Sequence, residues 1–131
     1  MTEQRDRPHG NSNFVVEFGS GASRSGRTGF AEVVFPRFTI GEPTAQRLVL
    51  RRGVIGALDL YAWWDEARRG KAPPRRTMNV KLLAEDHASV VWTWRFRNVR
   101  PVSLSYSPLS GAHGGILMET IELAYDDVTM V

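Results

Sequence analysis

Three histidines, two pairs of neighbouring carboxylates, two glycine-rich runs and one strip of arginines alternating with aromatics are the residues of this chain whose types could do chemistry. His9, His87 and His113 are scattered, with no HExxH and no histidine pair at metal-ligand spacing. The lack of any cysteine removes disulfides, thiolate catalysis and cysteine-held zinc together. Asp126 with Asp127, or Glu85 with Asp86, could be imagined as acid and base, but adjacent carboxylates on loops are ordinarily solvated side by side. GSGASRSG and GAHGG lack the strand, GxGxxG and helix context of a phosphate cradle, and read as turns. No catalytic, cofactor or metal site is expected, and the chain is not read as an enzyme.

The arginine strip demands more. Arg95, Arg97 and Arg100 interleave with Trp92, Trp94 and Phe96, the basic and aromatic mixture that binds single-stranded nucleic acid. A strand alternates its side chains between two faces, which puts Val90, Trp92, Trp94 and Phe96 on one side and Thr93, Arg95 and Arg97 on the other. The aromatics are then expected in the core, away from the arginines. A small nucleic-acid-binding β-barrel is therefore the alternative function and not the first.

The elements that position these residues are mostly short strands. Phe14, Val16 and Phe18 alternate, then residues 19–29 form a Gly- and Ser-rich hairpin tip. Val33, Phe35, Phe38 and Ile40 continue the apolar pattern, with Pro36 demoting the middle to an edge or bend, and Gly41, Pro43 and Thr44 make a turn. Arg47 to Arg52 is a strand with Leu48 and Leu50 inward, ended by Gly53. Arg76 to Leu83 places Met78, Val80 and Leu82 on one face, and Glu85 to Ser89 is a polar loop. Asn98 to Pro101 breaks the aromatic strand, after which Val102, Leu104 and Tyr106 predict another. Ile121, Leu123 and Tyr125 share a face in the last. Glu119 has their parity, so it must find a partner, sit at the rim or face away from the core, because an unpaired buried carboxylate is very costly.

One helix is predicted, Ala57 to Arg69, with an apolar stripe of Ala57, Leu60, Tyr61, Trp64 and Ala67. Trp64 is expected in the seam and Trp63 less covered. Asp59 in the first turn, Arg68 and Arg69 in the last, and Gly70 beyond suit the helix ends, and Asp65 can reach Arg69. About seven strands with one helix predict a mainly β fold, a small antiparallel β-barrel with one packed α-helix, a split sandwich being the other arrangement.

At 131 residues the chain is about one domain, 13–131, behind a polar, mobile arm at 1–12. The arm has no apolar signal region and no run reaches membrane-spanning length, so synthesis in the cytoplasm without membrane insertion is expected. The net charge of +3 is modest, but its distribution is polarised. Residues 68–81 carry Arg68, Arg69, Lys71, Arg75, Arg76 and Lys81 with no acid, and 101–131 carry Glu119, Glu122, Asp126 and Asp127 with no Lys or Arg. Such polarity steers association, with an acidic partner or with another copy.

Seven ordered pieces carry a family resemblance: NFVVEF, GFAEV, LVLRRGV, LYAWWDEARRG, RRTMNVKLLAED, VVWTWRFRNVRPV and METIELAYDDV. In order and spacing, over about 13–131, they resemble the tail-tube proteins of contractile phages and contractile injection systems. The resemblance implies a β-barrel like the type VI secretion tube protein, a structural homo-oligomer of hexameric rings, and a place in a virion or injection particle. Other tube, sheath or baseplate proteins are its implied partners, and nucleic acid enters only as lumen cargo. Arg68, Arg69, Lys71, Arg75, Arg76, Glu119, Glu122, Asp126 and Asp127 are expected at subunit contacts. The chain departs from the pattern between Val34 and Arg47, where the family's longer acidic stacking loop is missing. That departure implies a specialised member, such as a tube end or baseplate adaptor.

Overall fold

The computed structural model describes residues 8–18, 29–41, 47–70, 75–112 and 114–131. Their elements are β1 (Phe14–Phe18), β2 (Glu32–Val34), β3 (Leu48–Gly53), α1 (Asp59–Arg68), β4 (Arg76–Leu83), β5 (Val90–Tyr106), β6 (Met118–Ala124) and β7 (Asp127–Met130). The strands pair antiparallel in the order β1-β4-β5-β6-β3-β2, with β7 on β5. The mainly β fold expected from the sequence is present, with seven strands and one helix among the described residues, whose sheet does not close. The hairpin tip assigned to 19–29 and the turn residues Pro43 and Thr44 lie outside the described residues, apart from Gly29.

The core follows from strand parity. Val16 pairs with Val80 and Val80 with Trp94, while Phe18 pairs with Met78 and Met78 with Phe96, giving apolar rows across β1, β4 and β5. Across the other half, Val33, Leu50, Ile121 and Leu104 form a matching row. These rows meet in one cluster that includes Leu48, Leu123 and Val99. Phe35 and Phe38, just beyond the short β2, lay their rings over Phe96, as expected of a segment that Pro36 keeps out of the ladder.

Three sequence expectations need correction. Asn98 to Pro101 does not end a strand: β5 runs through it for 17 residues, with Asn98 at φ 56 and a register shift between Pro101 and Ser103. Asparagine tolerates the left-handed conformation, so the chain turns the corner inside one strand. β5 thereby pairs β4 and β7 through its first part and β6 through its second. The strand count of seven is kept only because β7 was not foreseen.

The second correction concerns the helix. Trp63 is fully buried, while Trp64 is half-buried. The buried line is Leu60 and Trp63, so the inward face is rotated by roughly 70° from the expected stripe. Phe18 meets Trp63 edge-on at 5.4 Å and the Arg76 guanidinium lies over its ring at 4.3 Å, a cover that helix periodicity cannot show. The third concerns the aromatic face of β5: its far end runs past the core, leaving Val90 and Trp92 about half exposed, whereas Thr93 on the opposite face is buried.

Candidate functional site

Glu119 has the partner its parity demanded. It lies on β6 directly across from Arg52 on β3 and Tyr106 on β5, so the three side chains form one row over adjacent strands. Arg52 Nε donates to Glu119 Oε1 at 3.0 Å and the Tyr106 hydroxyl donates to Oε2 at 3.0 Å. Asp59, in the first turn of α1, takes the other end of the Arg52 guanidinium. Arg52 and Glu119 are buried, and Asp59 is half exposed. Burial opposes the charge on Arg52, yet its bonds to Asp59 and Glu119 outweigh this and raise its pKa. The cluster ties α1 to the sheet by charge. Arg52 was missed as a partner, though it shares the parity of Leu48 and Leu50, and that inward charge was the available signal.

The other charges singled out in the sequence are distributed among local pairs. Arg68 and Arg69 both donate to Asp65, at 2.6 and 2.8 Å. Arg75 reaches Asp126 at 3.3 Å, which Arg100 also holds at 2.8 Å, lowering the Asp126 pKa through the Arg100 bond. Asp127 pairs with Arg97 at 3.3 Å, and Glu122 accepts from the Ser103 hydroxyl at 2.8 Å. Arg76 stacks on Trp63, and its desolvation lowers its pKa. The structure thus brings Arg75 together with Asp126 inside one subunit. Glu119 differs from the rest of the set in presenting no charge at the surface, and Lys71 lies outside the described residues.

His9 is exposed and His87 sits on an exposed turn, while His113 lies outside the described residues. Among the described residues no group of His, Asp or Glu could hold a metal ion, and no helix is long and apolar enough to cross a membrane. The arginine strip is engaged at home: Arg95 bonds Asn79, Arg97 bonds Asp127 and Thr129, and Arg100 bonds Asp126 and the Asn98 carbonyl.

What the molecule offers instead is edge and apolar surface. Among the described residues β2 and β7 each pair on one side only, so their outer edges carry backbone donors and acceptors open to a further strand. Val54 continues β3 by donating to Leu117 O at 2.9 Å, which brings 53–58 to the same end as 107–112 and 114–117, described stretches with no acidic or basic side chain. Ile55, Leu58, Leu109 and Ile116 there are all more than 60% exposed.

Comparison with known proteins matches the model of the T4-like virus tail tube protein gp19 family over residues 10–129. No curated protein sequence matches. Among solved structures, a chain of an extracellular contractile injection system, PVC sheath/tube terminator in extended state, superposes with a TM-score of 0.83 at 19% identity, covering 96% of this chain and 98% of that one. A chain of the PVC sheath-tube complex in extended state gives 0.78 at 19% identity, covering 100% and 97%. A chain of the anti-feeding prophage baseplate gives 0.69 at 25% identity, covering 96% and 97%.

Proposed function

The chain belongs to the T4-like virus tail tube protein gp19 family, and from that premise we propose that it is a non-enzymatic inner-tube subunit of a contractile tail or injection particle, closing hexameric rings through the outer edges of β2 and β7. The observation that carries this reading is the open sheet. Among the described residues a single core supports seven strands, the path ends on β1 and β2 without joining them, and β2 and β7 each leave an outer edge. Neighbouring copies that pair along such edges satisfy the backbone and cover apolar surface that would otherwise aggregate.

Charge would refine the meeting. Arg75 and Arg76 face Glu122, Asp126 and Asp127 of the next copy in this account, and the exposed Arg75–Asp126 pair exchanges an internal partner for an external one at little cost. The short connection between Val34 and Arg47 supports a specialised position, at a tube end or against the baseplate. Sheath and baseplate proteins are the other partners, with nucleic acid or protein as cargo in the lumen.

Sedimentation velocity of the full chain at low and moderate salt tests the reading. A particle of several copies that persists in salt is expected. A monomer at every concentration that retards oligonucleotides would point instead to nucleic-acid binding.

A further inference from the structure

We propose that rings of this chain stack head to tail, Ile40 of one copy entering a cleft in the 107–117 loop of a copy in the next ring. The inference rests on the tube reading for the rings, and it names the residues that join one ring to another.

Knob and cleft lie at opposite ends of one layer. β2 runs antiparallel to β3, with Glu32 opposite Arg51 and Val34 opposite Val49, so the segment that follows β2 passes beyond the start of β3. Val54 and its successors lie beyond the other end, a strand length of roughly 20 Å away. Phe35 and Phe38 hold the first segment down by resting on Phe96, with ring centres 6.3 and 6.4 Å apart. Gly41 at φ 107 then turns the chain, a conformation open to glycine, and leaves Ile40 fully exposed at the turn. A β-branched side chain has few rotamers to lose when it is covered.

The opposite end holds the socket. Ser107 N–H donates to Met118 O at 2.9 Å and Met118 N–H donates to Ser107 Oγ at 2.8 Å, which closes the base of the loop. Val54 N–H donates to Leu117 O, and Ile116 lies so close to Gly53 that a Cβ there would meet its Cγ2 at 3.2 Å. The loop is thereby pinned to β3. Within it is a cleft of about 310 Å³ whose lining includes Leu109, Ile116 and Leu117, room enough for a branched aliphatic side chain. Ile55 and Leu58 extend the apolar surface at that end.

Geometry and charge make a second copy the occupant. Rings that close through the outer edges of β2 and β7 meet their neighbours sideways, which leaves the ends of β3 and β6 to face the rings above and below. No described side chain of 53–58 or 107–117 is acidic or basic, so the exposed Arg37 that accompanies Ile40 meets no like charge there. A knob at one end and a socket at the other make a heterologous contact, which repeats from ring to ring instead of closing on itself. One such contact is weak, but all copies of a ring engage together. With the family's longer acidic loop missing between Val34 and Arg47, this apolar contact takes over the join. Two rings are enough to use it, which suits a specialised position as well as a long tube.

The chain has no cysteine, so introduced ones report the contact directly. Ile40→Cys with Leu109→Cys in one full-length chain, under a mild oxidant, is expected to give a ladder of joined multimers on a non-reducing gel, and either substitution alone none. In negative stain the unaltered chain should show stacked rings, and Ile40→Glu or Leu109→Glu single rings only. Mixing those two variants should give pairs of rings and nothing longer, because each supplies the feature that the other lacks. Unaltered rings that never stack, or stacking unchanged in either variant, would overturn the inference and leave the tube reading in place. Dimers from Leu109→Cys alone would set socket against socket and overturn it too. If no rings form yet the ladder appears, the tube reading fails and the head-to-tail contact stands, whereas neither rings nor ladder would overturn both.

Discussion

At the scale of the residue, Arg52 decides how much charge the interior tolerates. A buried pair contributes little over an apolar one, but breaking it strands an ion. Arg52→Met should therefore lower unfolding stability by about 3–5 kcal/mol, and adding Glu119→Leu should recover most of that loss. Additive losses in chemical denaturation would contradict the pairing. Asp59 gives a pH signature. Burial of its carboxyl works against ionisation, but the Arg52 bonds prevail and its pKa lies below the usual carboxylate value. A depressed folded value means that the contribution is complete above the ordinary pKa of about 3.9 and is lost as the pH falls through the folded one. Urea midpoints of the wild type and Asp59→Asn should differ near neutrality and converge in acid, and a gap widening in acid would contradict this. The anomaly of Glu119 was legible because parity is a local property. Its partner was less so, because the register that sets Arg52 opposite Glu119 joins residues far apart in the chain.

At the scale of the element, strands read well from alternation, and the helix read well in extent but not in rotation. Trp63 and Trp64 are both compatible with an apolar stripe, and which one turns inward depends on Phe18 and Arg76, on β1 and β4. Trp63→Ala should cost about 3–5 kcal/mol, and the half-buried Trp64→Ala about 1–2 kcal/mol. Equal losses in thermal or chemical unfolding would reinstate the expected stripe. The continuity of β5 was hidden by the same kind of limit, since Asn98 and Pro101 are local signals of a turn that cross-strand pairing overrides. With Asn98 at φ 56, Asn98→Val should destabilise by about 1–2 kcal/mol while Asn98→Gly stays near neutral.

At the scale of the whole molecule, the sequence carried the fold class and the family, because both rest on the order of many short patterns. It did not carry the arrangement of charges, which the tertiary pairing largely resolves within the subunit. Association therefore rests on edges and apolar surface in this account, with charge as a modulator. Reversing Arg75 and Arg76 to Glu should weaken assembly at low salt, and Glu122→Lys should partly restore it. Light scattering unaffected by the reversal would remove those residues from the contact and leave the edges in place. The central claim is that an open-edged subunit closes on copies of itself around a channel. Class averages from negatively stained, purified full-length protein test it most directly: hexameric rings with a central hole, alone or stacked, are predicted, whereas dispersed single subunits or closed assemblies without a hole would contradict it.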